Sequence, residues 1–367
     1  MKHESKGARQ VAIIGSRGYP SFYGGFETAI RHVAPFLADR GWSVTVYGRK
    51  GFASVTTESR DSRIHSVIVP SIENKSLSTL TSGFSSVLHC LFKKPDVALV
   101  LNVANGFWLP LLKLRGIKTV VNVDGLEWQR EKWGIVAKSV FYLGAKLTAI
   151  FANKIICDAK VLQEYWLDHF KRESVFIPYG GVIHGPLPAP LNLTHRGYVL
   201  LVARFVPENT ISEFFEAVPD IQKNYPVVLV GSTGYGGDFD DSAKSLAEAH
   251  ENVMWLGQIS DDTLLHSLWQ HSGAYFHGHS VGGTNPALVQ AMSSGAPIIA
   301  RDTEFNREVL GSTGIFTKPD SRSIKLAIQE MMSNTALQGD MANSSRARAQ
   351  LDYDWLQICS QYEKSLQ

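Results

Sequence analysis

Cysteine is scarce in this chain: among 367 residues there are three, Cys90, Cys157 and Cys359. None sits in CxxC spacing, so the pattern supports neither a zinc knuckle nor a secreted disulfide framework, and it reads as a chain kept in the reducing cytoplasm. Long apolar runs are missing too. No stretch approaches the roughly 18–20 apolar residues that cross a bilayer. The polar start MKHESKGARQ leads directly into a strand pattern rather than a signal-peptide core, and residues 1–10 read as a loose polar leader. No Asp-x-Asp triplet lies in a loop suited to a metal, no His/Cys/Asp set has ligand spacing, and no metal cofactor is expected. Internal repeats are absent, which excludes a solenoid. The basic residues are dispersed among helices without a recognition motif, which speaks against nucleic acid as a partner.

What is present is an ordinary globular balance, 44% hydrophobic and 19% charged, enough to bury a sizeable core. The length suits about two domains on a prior of roughly 150 residues each. A formal charge of +2 hides an asymmetry. Residues 1–178 hold 24 Lys and Arg against 14 Asp and Glu, a net of +10, and the remainder holds 12 against 20, a net of −8. Either the first half meets something anionic or its surface composition is accidental.

Short β-branched runs alternate with helical spacing along both halves. VAII (11–14), SVTVY (43–47), HSVIV (65–69), DVALVL (96–101), KTVVNV (118–123), NKIIC (153–157) and SVFIP (174–178) mark the first. YVLLVA (198–203), PVVLVG (226–231), NVMWLG (252–257), GAYFH (273–277), APIIA (296–300) and GIFTK (314–318) mark the second. Continuous apolar strands separated by helices predict parallel sheets covered on both faces, hence two doubly wound domains whose ligands bind at the carboxyl ends of the strands. The junction falls in PYGGVIHGPLPAPLN (178–192), where glycine and proline cluster and periodicity stops. The predicted division is 1–182, 183–350, and a terminal helix, 351–367, that returns to the first domain with Trp355 and Tyr362 as packing anchors.

Two glycine-rich loops open helices. GSRGYPSFYGGFET carries Gly15, Gly18, Gly24 and Gly25 after the first strand, where backbone can approach a phosphate. A nicotinamide fold would want G-x-G-x-x-G and an acid about 20 residues on. The spacing here is G-x-x-G with a later GG pair, and the second strand ends in Arg49 and Lys50, which leaves only a phosphorylated dinucleotide in play. HGHSVGGTNPALVQAM (277–292) places Gly282, Gly283, Thr284 and Asn285 before Pro286 at the mouth of an apolar helix, where the dipole favours an anion.

Six segments, GSRGYPSFYGGFET, VNVDGLEWQREKWG, IPYGG, VARFVPEN, HGHSVGGTNPALVQAM and DTEFNREVLG, together resemble the family-4 (group 1) retaining glycosyltransferases of GT-B fold, in particular their bacterial rhamnosyltransferase-like branch. The resemblance covers nearly the whole chain in order. It implies a GT-B architecture, two Rossmann-like domains facing across a cleft, with the acceptor on the first and a nucleotide sugar on the second. It implies transfer of a sugar, rhamnose first, from a nucleoside diphosphate to a glycan or lipid-linked acceptor in surface-polysaccharide synthesis. A dTDP-sugar is favoured over a UDP-sugar, and the departing phosphate itself takes the acceptor's proton.

By the same resemblance Arg204 neutralises the diphosphate, although pairing with Glu208 is its alternative, and the lysine that many relatives carry shortly after it is absent. Asp124 stands where relatives have a histidine near the sugar, and it either holds hydroxyls or caps a helix beginning near Glu127. Gly24 and Gly25 approach the donor, Gly257 to Ile259 lie where backbone holds the base, and His279 adjoins the second glycine turn. Gly282 and Gln290 occupy the positions of two family glutamates, the first for the sugar and the second for the ribose. The segment 127–154 interleaves Trp128, Trp133, Phe141 and Tyr142 with Arg130, Lys132, Lys138, Lys146 and Lys154, fitting peripheral contact with an anionic membrane or a core helix with a solvated face. A catalytically silent relative that binds a nucleotide sugar or an assembly partner is the alternative function.

Overall fold

The structure, a computed structural model, describes residues 8–21, 24–50, 60–72, 78–130 and 133–367. Most of the leader and Lys132 therefore lie outside the described residues. The chain divides into two compact units, Met1–Pro178 with Leu356–Gln367, and Tyr179–Trp355.

Unit 1 takes its sheet from the apolar runs. Strands β1 (Gln10–Ile14), β2 (Ser43–Arg49), β3 (His65–Val69), β4 (Val97–Leu101), β5 (Lys118–Asn122), β6 (Lys154–Cys157) and β7 (Val175–Phe176) align in the order β3-β2-β1-β4-β5-β6-β7. Every pairing is parallel. Helices α1 (Gly25–Asp39), α2 (Ser78–Lys93), α3 (Leu109–Leu114), α4 (Ile135–Phe151) and α5 (Lys160–Phe170) supply the crossovers. β4 is buried at all five positions because helices cover both of its faces. Gly15 ends β1 at φ +96°, and a Cβ there would strike the carbonyl of Leu101 on the neighbouring strand. Only glycine fits that approach. Tyr362, in the C-terminal helix, is buried and its hydroxyl accepts from Asn122 Nδ2 at 2.7 Å.

Unit 2 repeats the order. Strands β8 (Val199–Val202), β9 (Val227–Val230), β10 (Val253–Trp255), β11 (Ala274–His277), β12 (Ile298–Arg301) and β13 (Ile315–Thr317) form a parallel sheet ordered β10-β9-β8-β11-β12-β13. The helices are α6 (Ile211–Ile221), α7 (Asp238–Ala249), α8 (Asp262–His271), α9 (Pro286–Ser294), α10 (Glu304–Leu310), α11 (Ser321–Ser333) and α12 (Thr335–Asp352), before α13 (Trp355–Leu366) closes the chain. Alternate strand residues face opposite ways. Val199, Leu201, Phe276 and Ile299 pack into the layer that holds α6 and α11 residues, while Leu200, Tyr275, Ile298 and Ala300 pack into the layer of α8 and α9.

The residues from Glu127 onward do not start a long helix. They form a three-residue 3₁₀ turn, Glu127–Gln129, whose N-cap is Leu126, and α4 begins only at Ile135. The capping alternative for Asp124 is therefore not realised.

Candidate functional site

In a doubly wound sheet the crevice lies where strand order reverses, because crossovers leave that point in opposite directions and open a gap at the carboxyl edge. In unit 2 that point is between β8 and β11. Arg204 follows β8, and the segment from Gly278 to Asn285 follows β11.

Side chains tie these two loops together. Pro207–Asn209 form a 3₁₀ turn, since Pro207 fixes φ at its first position. Asn209 is buried and donates from Nδ2 to the Arg204 carbonyl at 2.7 Å. Its Oδ1 then faces His279 Nδ1 at 2.5 Å. An amide oxygen only accepts, so His279 Nδ1 is the donor in this contact. Ser280 binds the Glu208 carbonyl through both its N–H at 3.0 Å and its hydroxyl at 2.9 Å. Thr210 Oγ1 donates to Gly278 O at 2.7 Å, and Asn306 Nδ2 reaches the carbonyls of His279 and Arg301.

Arg204 itself is exposed and makes no ion pair among the described residues, Glu208 included. Its guanidinium therefore stands at the strand-order reversal as an uncommitted cation. Gly282 adopts φ +88°, a left-handed turn suited to glycine. Thr284 is buried, and Asn285 caps α9 by accepting from the Ala287 N–H at 2.9 Å, with Pro286 at the first helical position. Gln290, half-buried one turn on, makes no hydrogen bond among the described residues. His277 is buried at the end of β11 against the Tyr275 hydroxyl at 3.0 Å, and loss of hydration pushes its pKa down to about 3. It is neutral in any ordinary buffer.

In unit 1 the corresponding loop is built differently. Gly24 is the extended N-cap of α1 and Gly25 its first residue. The buried Glu27 carboxylate accepts from the Arg17 N–H at 3.0 Å, and a Cβ on Gly24 would sit 2.9 Å from it. Asp124 follows β5, two strands from β1, with φ +54° and its N–H on Asn122 Oδ1 at 3.1 Å. A left-handed aspartate is a strained backbone maintained by its surroundings.

The aromatic residues between 127 and 154 pack on one another: Trp128 against Tyr142, and Trp133 against Phe141, with ring centroids 5.7 and 5.3 Å apart. The exposed apolar residues of α4 are mostly aliphatic instead, with Ile135 85% and Val136 79% exposed and Leu143 and Ile150 also open. Sequence reading passed over Asn209, Thr210 and Arg301, whose roles arise from contacts 68 to 91 positions apart, and Asn306, which reaches carbonyls 27 and 5 positions away.

Residues 188–348 match the family model of Glycosyl transferases group 1, and residues 8–182 match a family described only as a domain of unknown function. The O-antigen chain mannosyltransferase B of Escherichia coli is 25% identical over 154 residues, 40% of this chain and 39% of that protein. The phosphatidyl-myo-inositol mannosyltransferase of Mycobacterium leprae is 26% identical over 169 residues, 44% of each chain. The chain thus spans less than half the length of these curated relatives. Among solved structures, sucrose-phosphate synthase from Thermosynechococcus elongatus superposes with a TM-score of 0.77 at 18% identity over 97% of this chain and 98% of that one. Anabaena HepE in complex with UDP-glucose gives 0.75 at 15% identity over 97% and 99%. WaaG, a glycosyltransferase involved in lipopolysaccharide biosynthesis, gives 0.72 at 15% identity over 97% and 99%. Strand order, switch-point loops and these likenesses converge on the GT-B fold, and residues 188–348 are similar to the group 1 glycosyl transferases.

Proposed function

We propose that the protein is a retaining glycosyltransferase that moves a sugar, rhamnose in the first instance, from a nucleoside diphosphate to a glycan or lipid-linked acceptor in surface-polysaccharide synthesis. The observation that carries this reading is Arg204: an exposed guanidinium, without an ion pair among the described residues, that follows β8 at the switch point of the segment similar to group 1 glycosyl transferases. Forked N–H donors on phosphate oxygens stabilise the charge that builds on a departing nucleotide. His279, Gly282, Gly283, Thr284 and Asn285 bound the same crevice, and the half-buried amide of Gln290 is available to a ribose hydroxyl.

In the reaction the bond from the anomeric carbon to the phosphate oxygen breaks, and its electron pair leaves with the phosphate. The acceptor oxygen bonds to the same face of that carbon, and its proton passes to a phosphate oxygen. Neither a carboxylate nucleophile nor a metal is needed for this step. Unit 1 supplies the acceptor side, with Asp124 holding a hydroxyl, while Gly24 and Gly25 offer backbone to the donor. A dTDP-sugar is the preferred donor, because a deoxyribose asks less of Gln290 than a ribose does.

The acceptor's carrier explains the surface of α4. Ile135, Val136, Ser139, Tyr142, Leu143, Lys146 and Ile150 are its exposed residues, and at 100° per residue they share one stripe about 120° wide. Lys146 stands over the Tyr142 ring at 4.8 Å. No helix among the described residues is long and apolar enough to cross a membrane. An apolar stripe on a unit of net positive charge instead favours shallow contact with anionic lipid.

The test is incubation with a panel of nucleotide sugars and a synthetic lipid diphosphate sugar, with mass detection of a new glycolipid. A product from wild type that Arg204→Ala fails to form supports the reading. Nucleotide binding without product from any donor would favour a silent relative, and near-normal turnover in Arg204→Ala would sink the assignment.

A further inference from the structure

Arg301 ends β12 on the carboxyl edge of the unit 2 sheet. His277 on β11 pairs with Ala300, so Arg301 lies one residue beyond, beside Gly278 and the start of the second glycine loop. Its side chain follows Ile299 by two positions and therefore takes the face that holds α6. There its Nη1 donates to Thr210 Oγ1 at 3.1 Å. Thr210 is fully buried and directly follows Asn209, the residue that ties the Arg204 loop to His279.

A guanidinium offers five N–H groups, and one hydrogen bond from Arg301 is the extent of its commitments among the described residues. The contrast with other half-buried arginines of the unit is direct. Arg196 binds the carbonyls of Ser272 and Gly295, and Arg348 binds those of Val309 and Glu308. Both are struts. The acid nearest to Arg301 in sequence, Asp302, is taken by Arg307 through two bonds at 2.5 and 2.8 Å. Arg301 thus remains an uncompensated charge, half-buried, beside the loop from which the expected lysine is absent.

We infer that Arg301 is the second cation of the donor site, binding the diphosphate of the nucleotide together with Arg204 and standing in for a lysine on the 206–210 loop. The inference rests on the reading of unit 2 as a nucleotide-sugar domain. A diphosphate carries more charge than one guanidinium neutralises, and a charge held against a buried hydroxyl is pre-oriented and less screened than one on a free side chain.

Calorimetry of the full chain with dTDP and dTMP tests it. Arg301→Gln should weaken dTDP at least tenfold and dTMP no more than threefold, with an unchanged melting temperature. Arg301→Lys should recover most of the loss. Should Arg301→Gln fold poorly, the ratio of dTDP to dTMP affinity in Arg301→Lys still reads the contact, because a point charge in place of the fork lowers that ratio. An unchanged ratio in the variants, or an equal loss for both nucleotides, overturns the role of Arg301 and leaves the function standing. Wild type that binds neither dTDP nor UDP overturns the function itself.

Discussion

The two units share one strand order yet prepare their carboxyl edges for opposite chemistries. In unit 2 the carboxyl edge carries Arg204 after β8 and Arg301 at the end of β12, and the neutral polar residues Asn209, Thr210 and Asn306 do the tying. In unit 1 the equivalent loop is closed by an acid, Glu27, which already holds the Arg17 N–H, and Asp124 stands further along the same edge. Beside Arg17 and Arg49 at the same edge, these two carboxylates offer acceptors that suit a sugar hydroxyl. Topology alone therefore does not assign the ligand. The charge left uncommitted at the edge does.

The strongest way to break this comparison is to remove one charge from each edge. Arg204→Ala should lower glycolipid formation below detection and weaken nucleoside diphosphate binding at least a hundredfold, as expected when a charged contact to a developing anion is lost. Asp124→Asn should lower turnover by a similar order while leaving dTDP affinity within about twofold, since an amide keeps the size but loses the charged acceptor. Product assays paired with calorimetry separate the two. Equal loss of nucleotide affinity in both variants would show that the acidic edge also serves the nucleotide.

Protonation distinguishes the units more gently. In unit 2, burial holds His266 down to about 4 and His277 down to about 3. Unit 1 has His32, lowered to about 4 first by burial and then by Arg31. A base whose folded pKa is depressed binds its proton only in the unfolded chain between the folded and unfolded values. Its stabilisation is complete above about pH 6.5 and is lost as pH falls toward about 4 for His32 and His266 and toward about 3 for His277, at up to about 1.4 kcal/mol per pH unit for each group. Thermal melts should therefore show a steeper acid loss for unit 2, and His266→Asn with His277→Asn should flatten it. Equal slopes in wild type and the double variant would remove the histidines as its cause.

Much of this contrast was legible in the chain. Apolar β-branched runs gave the strands because burial on both faces demands them, and Gly282 with Pro286 gave a helix start because few residues fit those backbone angles. Arg204 stood out as a cation directly after a strand. Arg301 did not, although it too ends a strand, because nothing in its neighbours tells that Asp302 turns to Arg307 and leaves it unpaired. Asn209 was equally silent. Its two hydrogen bonds join positions 204 and 279, and such pairing is set by strand order rather than by local pattern. The segment 127–154 leaves two readings open in the sequence, a lipid face or a core helix with a solvated face, and in the structure its aromatics pack on one another while mostly aliphatic residues lie outside.

The smallest effect sharpens the comparison most finely. Gln290 lies on α9 one turn beyond the capped start, half-buried and without a hydrogen bond among the described residues. A glutamate there adds a negative charge to the cationic edge, which by itself weakens a diphosphate, but it also gives ribose hydroxyls a charged acceptor roughly twice as strong as an amide. The sum depends on the sugar of the nucleotide. Gln290→Glu should tighten UDP a few-fold and leave dTDP unchanged or slightly weaker, because deoxyribose offers one hydroxyl fewer to offset the repulsion. Parallel titrations of the two nucleotides read the difference directly. A variant that weakens both equally would mean that Gln290 lies near the phosphates instead of the ribose, and a variant that changes neither would take it out of the site.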